Sequence, residues 1–185
     1  MDPSTVLELD SRRRIYEFVR AKPGTHLRAI ARGLASPLGT TLFHLDCLTR
    51  TGVVVVRMDG RYKRFFASDT LGRREKDYVA ALHRAVPRRL LAVVVRGGAR
   101  TQRELARELV VSRSTVSFHL SVLVRQGILA CERRRPENVY VAAEPELAER
   151  VLKAHSATFA DPVLDAVLAP TVATIAPSGP PAAEA

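Results

Sequence analysis

The polarity of the chain between residues 113 and 126 repeats with a helical period. Val116, Leu120 and Leu123 fall three and four residues apart and form one apolar stripe. At 100° per residue, Ser114, Ser117, Phe118, Ser121 and Arg125 occupy the other side, which is small, polar and partly positive with one aromatic ring. Ser112 is placed to cap the first turn through its hydroxyl, and Gly127 to end the helix in a left-handed conformation. Upstream, TQRELAREL carries Thr101 and Glu104 at the spacing of a capping box, with Leu105, Ala106 and Leu109 as its apolar face. Only VVS separates the two helices, which predicts a helix-turn-helix. Beyond Gly127, ILACE and VYVAA predict short strands around the basic turn RRRPEN.

A shift of 75 residues lays the chain over itself. LRAIARGLASPLGTTLFHLDCLTRTGVV aligns without a gap with QRELARELVVSRSTVSFHLSVLVRQGIL, and 11 of 28 positions are identical, among them Thr40/Thr115, Phe43/Phe118, His44/His119, Arg50/Arg125 and Gly52/Gly127. The offset continues upstream, pairing Arg13 and Arg14 with Arg88 and Arg89 ahead of the apolar runs IYEFV and LLAVV. Downstream, VVVVRMDGRYKRFFAS predicts a hairpin turning at Asp59 and Gly60. GRREKDYVAALHRAV predicts a helical connector that runs to Pro87, where the next helix begins. The expected fold is therefore mainly α with small β-wings (α+β): two tandem winged helix-turn-helix domains, at 1–70 and, with the connector helix, at 71–143. Pro145 opens a helical pattern with Leu147, Val151 and Leu152 inward, and Asp161 with Pro162 predicts the start of another, placing C-terminal helices at 144–169. Residues 170–185 lack the periodicity and apolar content to pack and read as a disordered tail.

Charge narrows the function. The 185 residues hold 29 Lys and Arg against 19 Asp and Glu, a net +10 and a pI near 10.5, the footprint of a nucleic-acid binder. Residues 1–70 hold 12 basic and 7 acidic groups, 71–143 hold 15 and 6, and 144–185 hold 2 and 6, so the excess lies in the repeated units. No run approaches the ~18 uncharged apolar residues of a membrane span. MDPSTVLELD lacks a signal peptide's basic start and apolar core, so a cytoplasmic, nucleoid-associated location is expected. Cys47 and Cys131 fit a reduced compartment. With no phosphate loop, nucleophile motif or carboxylate pair in a recognisable setting, neither an enzyme nor a cofactor is expected. His44 and Cys47 lie three apart on one helix, but two ligands are not a site and no cysteine follows His119 in the same way. Packing or capping is the expected role of both histidines, and no metal is expected.

LVVSRSTVSFHLSVLVRQGIL resembles the helix-turn-helix of ArsR- and MarR-type winged-helix transcriptional regulators. GTTLFHLDCLTRTGVVVVRMDGRYKRFFA resembles the first half of archaeal regulators that carry two winged helices in tandem, and the resemblance spans about residues 10–143. It implies recognition helices at 113–125 and 38–50, with double-stranded DNA as partner. Arg113, Ser114, Ser117, Ser121 and Arg125 are candidates to hydrogen-bond base edges in the major groove. Thr115 and Phe118 share that helix, and Thr40, Phe43 and Arg50 are the first unit's counterparts. Arg57, Arg61, Lys63 and Arg64 in the first wing, and Arg133, Arg134 and Arg135 in the second, are candidates for phosphate or minor-groove contacts.

Two other functions use the same features. A sequence-tolerant architectural protein would place these charges on phosphates alone. A protein-interaction module would show apolar or acidic residues at the base-reading positions. The first unit leans that way, because Arg113, Ser114, Ser117 and Ser121 become Leu38, Gly39, Leu42 and Asp46. Either these residues face outward, or the first helix is rotated and buries Leu38 and Leu42. Pairing of chains is equally open: the two units can serve as the halves of a dimer, or the C-terminal helices can join two copies. A protein partner can meet the first unit or those helices.

Overall fold

The same local signals fold both halves of the chain, 75 residues apart. The computed structural model describes residues 6–159; the helix expected from Asp161 and the tail at 170–185 lie outside the described residues. The first unit runs α1 (Asp10–Ala21), α2 (Leu27–Gly33), α3 (Leu38–Arg50), β1 (Val54–Asp59) and β2 (Tyr62–Ala67). After α4 (Arg73–Leu82) the second unit repeats the order as α5 (Ala85–Gly97), β3 (Arg100–Thr101), α6 (Gln102–Leu109), α7 (Arg113–Arg125), β4 (Leu129–Arg134) and β5 (Glu137–Ala142), and α8 (Pro145–Phe159) follows.

The expected caps form. Ser112 Oγ accepts from the Thr115 amide at 3.1 Å, and Thr101 and Glu104 close a capping box. In the first unit the position of Thr101 falls to His26, whose Nδ1 accepts from the Ala29 amide at 3.2 Å. Gly52 and Gly127 both end their helices at positive φ, 74° and 66°. The repeat reaches individual hydrogen bonds: Arg13 donates to the Leu7 carbonyl as Arg88 does to that of Leu82.

Each helix-turn-helix turn holds a non-glycine residue in the left-handed region at the same repeat position, Ala35 (φ 49°) and Val110 (φ 53°). For a β-branched residue that backbone costs about 1–2 kcal/mol. Val110 is 90% exposed, so its side chain offsets little of the cost by burial. Val110→Asn should stabilise the protein by about 1 kcal/mol, seen as a rise of roughly 3 °C in the thermal midpoint. A midpoint that stays put or falls would show the turn to be unstrained.

Four details differ from the sequence expectation. In the first hairpin Asp59 pairs with Tyr62, so the loop is Gly60–Arg61 and positive φ falls at its first position, as a type II′ turn requires. Asp59 stays in the strand because its carboxylate is held inside by Arg64 and Arg84. In the second hairpin Arg134 pairs with Glu137, which shrinks the turn to Arg135 and Pro136. The connector helix ends at Leu82, and Pro87 sits inside the first turn of α5 rather than opening it. Finally, β3 adds a third strand, giving the order β3-β5-β4. Its pairing of Arg100 with Tyr140 matches a lone bridge between Thr25 and Phe65 in the first unit.

The first hairpin joins two cores. Val54 and Phe65 pack with Ile15, Ile30, Leu45 and Leu48 of the first unit. Their neighbours Val55 and Phe66 point the other way, into the core of Tyr78, Leu90, Leu120 and Leu123. Charged and polar contacts follow the same seam: Arg57 meets Asp77 at 3.2 Å, and His83 Nε2 donates to the Pro23 carbonyl at 2.9 Å. Burial holds His83 down at a pKa of about 4, so its imidazole is neutral. Ala148, Val151 and Leu152 of α8 complete the second core. Among the described residues no helix is long and apolar enough to cross a membrane.

Candidate nucleic-acid interface

On α7 the stripe of Val116, Leu120 and Leu123 is buried, and that burial turns the opposite face to solvent. Arg113, Ser114, Ser117, Phe118, Ser121 and Arg125 are all exposed. They are not equally available. Ser112, Ser114 and Thr115 share hydroxyl contacts of 2.9 and 2.8 Å, and half-buried Thr115 serves the cap rather than the outer face. Ser121 donates to the Phe118 carbonyl at 2.7 Å, which leaves its oxygen as an acceptor only. At the start of α7, Gln102 Nε2 donates to the Arg113 carbonyl at 3.0 Å, tying the helix to α6. Arg133, Arg134 and Arg135 project from the second wing, with Arg134 drawn to Glu132 at 2.7 Å.

In the first unit α3 is not rotated. Thr41, His44, Leu45 and Leu48 fill its buried side, whereas Leu38 is 47% exposed, Leu42 42% and Phe43 60%. Thr40, Asp46 and Arg50 are exposed with them. The face equivalent to the polar face of α7 is thus largely apolar. Lys63 and Arg61 flank it from the wing.

Two wing candidates are corrected. Arg64 is buried and paired with Asp59 at 3.0 Å, and Arg57 is held by Asp77, so neither points at a phosphate. The reason is register: Arg57 and Arg64 are cross-strand partners, on the hairpin face that the second unit covers. Exposed Lys63 pairs with Met58 on the other face, and Arg61 lies in the loop.

His44 and His119 both meet the edge of the preceding phenylalanine, with ring centroids 5.4 and 5.1 Å apart. Burial first, then Arg12 for His44 and Arg84 for His119, lowers both pKa values and favours neutral rings. Among the described residues no three His, Cys, Asp or Glu side chains gather to hold a metal.

The seam between the units carries a groove that no local pattern announced. Arg61 and Tyr62 from the first wing and Arg84 from the start of α5 line it with Phe118, Val122 and Arg125 of α7. Tyr62 and Arg84 were not candidates in the sequence, because residues about 60 apart make the groove and only the packing of the hairpin brings them together.

Known proteins resemble parts of this chain. Residues 9–79 match the model of an N-terminal HTH domain family, and residues 82–132 match that of a helix-turn-helix domain family. An uncharacterized HTH-type transcriptional regulator of Methanocaldococcus jannaschii is 25% identical over 155 residues, 84% of this chain but only 38% of the relative's own length. Among solved structures, the transcriptional repressor BigR of Xylella fastidiosa shares 24% identity at a TM-score of 0.40, over 46% of this chain and 86% of that one. Reduced HlyU of Vibrio cholerae shares 19% at a TM-score of 0.40, over 45% and 87%. The two domain matches fall one on each repeated unit and together span about two-thirds of the chain. The chain carries two helix-turn-helix domains in tandem, one in each repeated unit.

Proposed function

We propose that the protein regulates transcription by binding double-stranded DNA, with the second unit reading sequence and the first adding backbone contacts. The observation that carries this reading is the exposed face formed by Arg113, Ser114 and Ser117 at the start of α7, where Arg113 shares a cleft with Glu137 and Asn138 of the second wing, Asn138 being the strand partner of Arg133. An arginine fork and short hydroxyls are the groups that hydrogen-bond base edges in a major groove, whereas the wing has the charge to grip phosphates. The first five residues of α7, Arg113 to Ser117, are the reading end, since the helix from Phe118 onward faces the seam groove. Leucines at the matching positions of α3 offer only methyl contacts, and Asp46 repels phosphate. The apolar face of α3 also favours a protein contact by the first unit.

Binding to a selected site and to random DNA, at one fixed salt concentration, tests the division of labour. Arg113→Ala and Ser117→Ala should each cost about 1–3 kcal/mol on the selected site and much less on random DNA. Asp46→Ser should keep the preference and tighten binding to both. If Asp46→Ser abolished the preference while the α7 variants kept it, the roles of the units would be reversed.

A further inference from the structure

We propose that the groove between the first wing and α7 is a binding site for a planar organic anion, an aromatic ring bearing a carboxylate or a phosphate. Both units build it. The hairpin loop supplies Arg61 and Tyr62, the residue capping α5 supplies Arg84, and α7 supplies Phe118, Val122 and Arg125 at helical spacings of four and three. Its volume is about 660 Å³, inside the ~300–1,000 Å³ range of small-molecule sites.

The lining has two halves that one ligand would satisfy together. Tyr62 and Phe118 leave more than half of their surface, 51% and 56%, in water, although aromatic side chains of this size normally bury ~150–250 Å². The Arg61 guanidinium sits 5.6 Å from the Tyr62 ring centroid, and His119 meets Phe118 edge-on. Around the rings stand three guanidinium groups against one carboxylate. That carboxylate, Asp59, is 2% exposed and already paired with Arg64 at 3.0 Å and Arg84 at 3.4 Å. The open groove is therefore positive and aromatic at once. A neutral ring would leave Arg61 and Arg125 without a carboxylate, and a simple anion would leave the rings wet. A planar anion stacks on one set and accepts a forked hydrogen bond from the other.

DNA bound as proposed above shares only Arg61 with this groove. Arg125 lies about 18 Å along the helix axis from Arg113, at 1.5 Å per residue over twelve residues. The first wing stands over the helix from Phe118, about 7.5 Å from Arg113, to Arg125. An occupant would bridge the two units and, by linkage, change DNA affinity by the same factor that DNA changes its own. This consequence rests on the DNA reading; the site itself does not.

The test uses the full chain without DNA. Benzoate and adenosine monophosphate are titrated by calorimetry beside inorganic phosphate, cyclohexanecarboxylate and adenosine, which each lack the ring or the charge. At least one aromatic anion should bind tenfold or more tightly than all three comparators, and which one wins tells carboxylate from phosphate as the natural head group. Tyr62→Ala and Val122→Glu should each weaken that binding at least tenfold, with amide shifts confined to the groove in NMR spectra of the parent protein. Equal binding of the winner and the ringless anions, or binding untouched by both substitutions, overturns the site. The same preparation is assayed on duplex DNA: retained DNA binding without anion binding rejects the groove alone, and the reverse outcome rejects only the DNA reading.

Discussion

Raising monovalent salt from 50 to 200 mM should weaken binding to a DNA duplex by about 10³-fold, the result of releasing counterions from roughly six phosphates. The two repeated units carry +5 and +9, which on its face would allow more contacts. The fold reduces the number. Arg57 and Arg64 are turned inward to Asp77 and Asp59, and Arg134 is drawn to Glu132. Arg61, Lys63, Arg113, Arg133 and Arg135 remain exposed toward the wings and the reading end, with Arg50 at the end of α3. A plot of log affinity against log salt from fluorescence anisotropy should have a slope near −5, about −0.9 per phosphate. Neutralising Arg133 and Arg135 together should reduce the slope by about two and weaken selected and random DNA alike. A flat response to salt would remove DNA from the account.

Asp59→Asn should destabilise the fold by about 3–5 kcal/mol, the usual cost of stranding a buried charge. Asp59 is 2% exposed, and Arg64 beside it is buried as well, so removing the carboxylate leaves a guanidinium inside the protein without its counter-ion. Arg64 has little else to turn to: its contact to the Gly24 carbonyl is 3.5 Å long, and its Nε has no hydrogen-bond partner. Arg84 loses the same carboxylate from the second unit's side. Urea unfolding followed by circular dichroism measures the loss, with the exposed Asp46→Asn as a control expected within about 0.5 kcal/mol of the parent. Replacing the pair with Asp59→Leu and Arg64→Met should restore most of the stability, because apolar groups of similar volume need no counter-charge. If Asp59→Asn alone cost under 1 kcal/mol, water would be reaching Arg64.

Much of this structure is legible in the sequence where the signal is local or repeated. Thr101 with Glu104, Ser112 and Gly127 fix the ends of α6 and α7 through groups within three residues of each other. The 75-residue offset then carries the same boundaries to α3, β1 and β2. Three things escaped. The two residues of β3 are too few to show any alternation. The fate of Arg57 and Arg64 depends on a neighbour about 20 residues on in one case and on hairpin register in both. The third had a signal that the idea of a solvent-exposed wing obscured. A hairpin with one wet face alternates apolar and polar residues, but Val53 to Val56 and Phe65 to Ala67 are unbroken apolar runs, as expected of strands covered on both sides. On α3 the sequence gives the residues but not their rotation, and packing of Thr41, His44, Leu45 and Leu48 decides that Leu38 and Leu42 face out.

The two-sided hairpin also sets how the molecule comes apart. A duplicated chain whose halves met only through a linker would melt like beads on a string, each at its own temperature. Here Phe66 and Val55 are grown in one half and planted in the other, while the alternate residues Val54 and Phe65 remain at home. The first hairpin cannot detach without opening both cores, so the two halves should unfold as one cooperative unit, and a cut near residue 70 would leave the second half with a bare wound rather than a domain boundary.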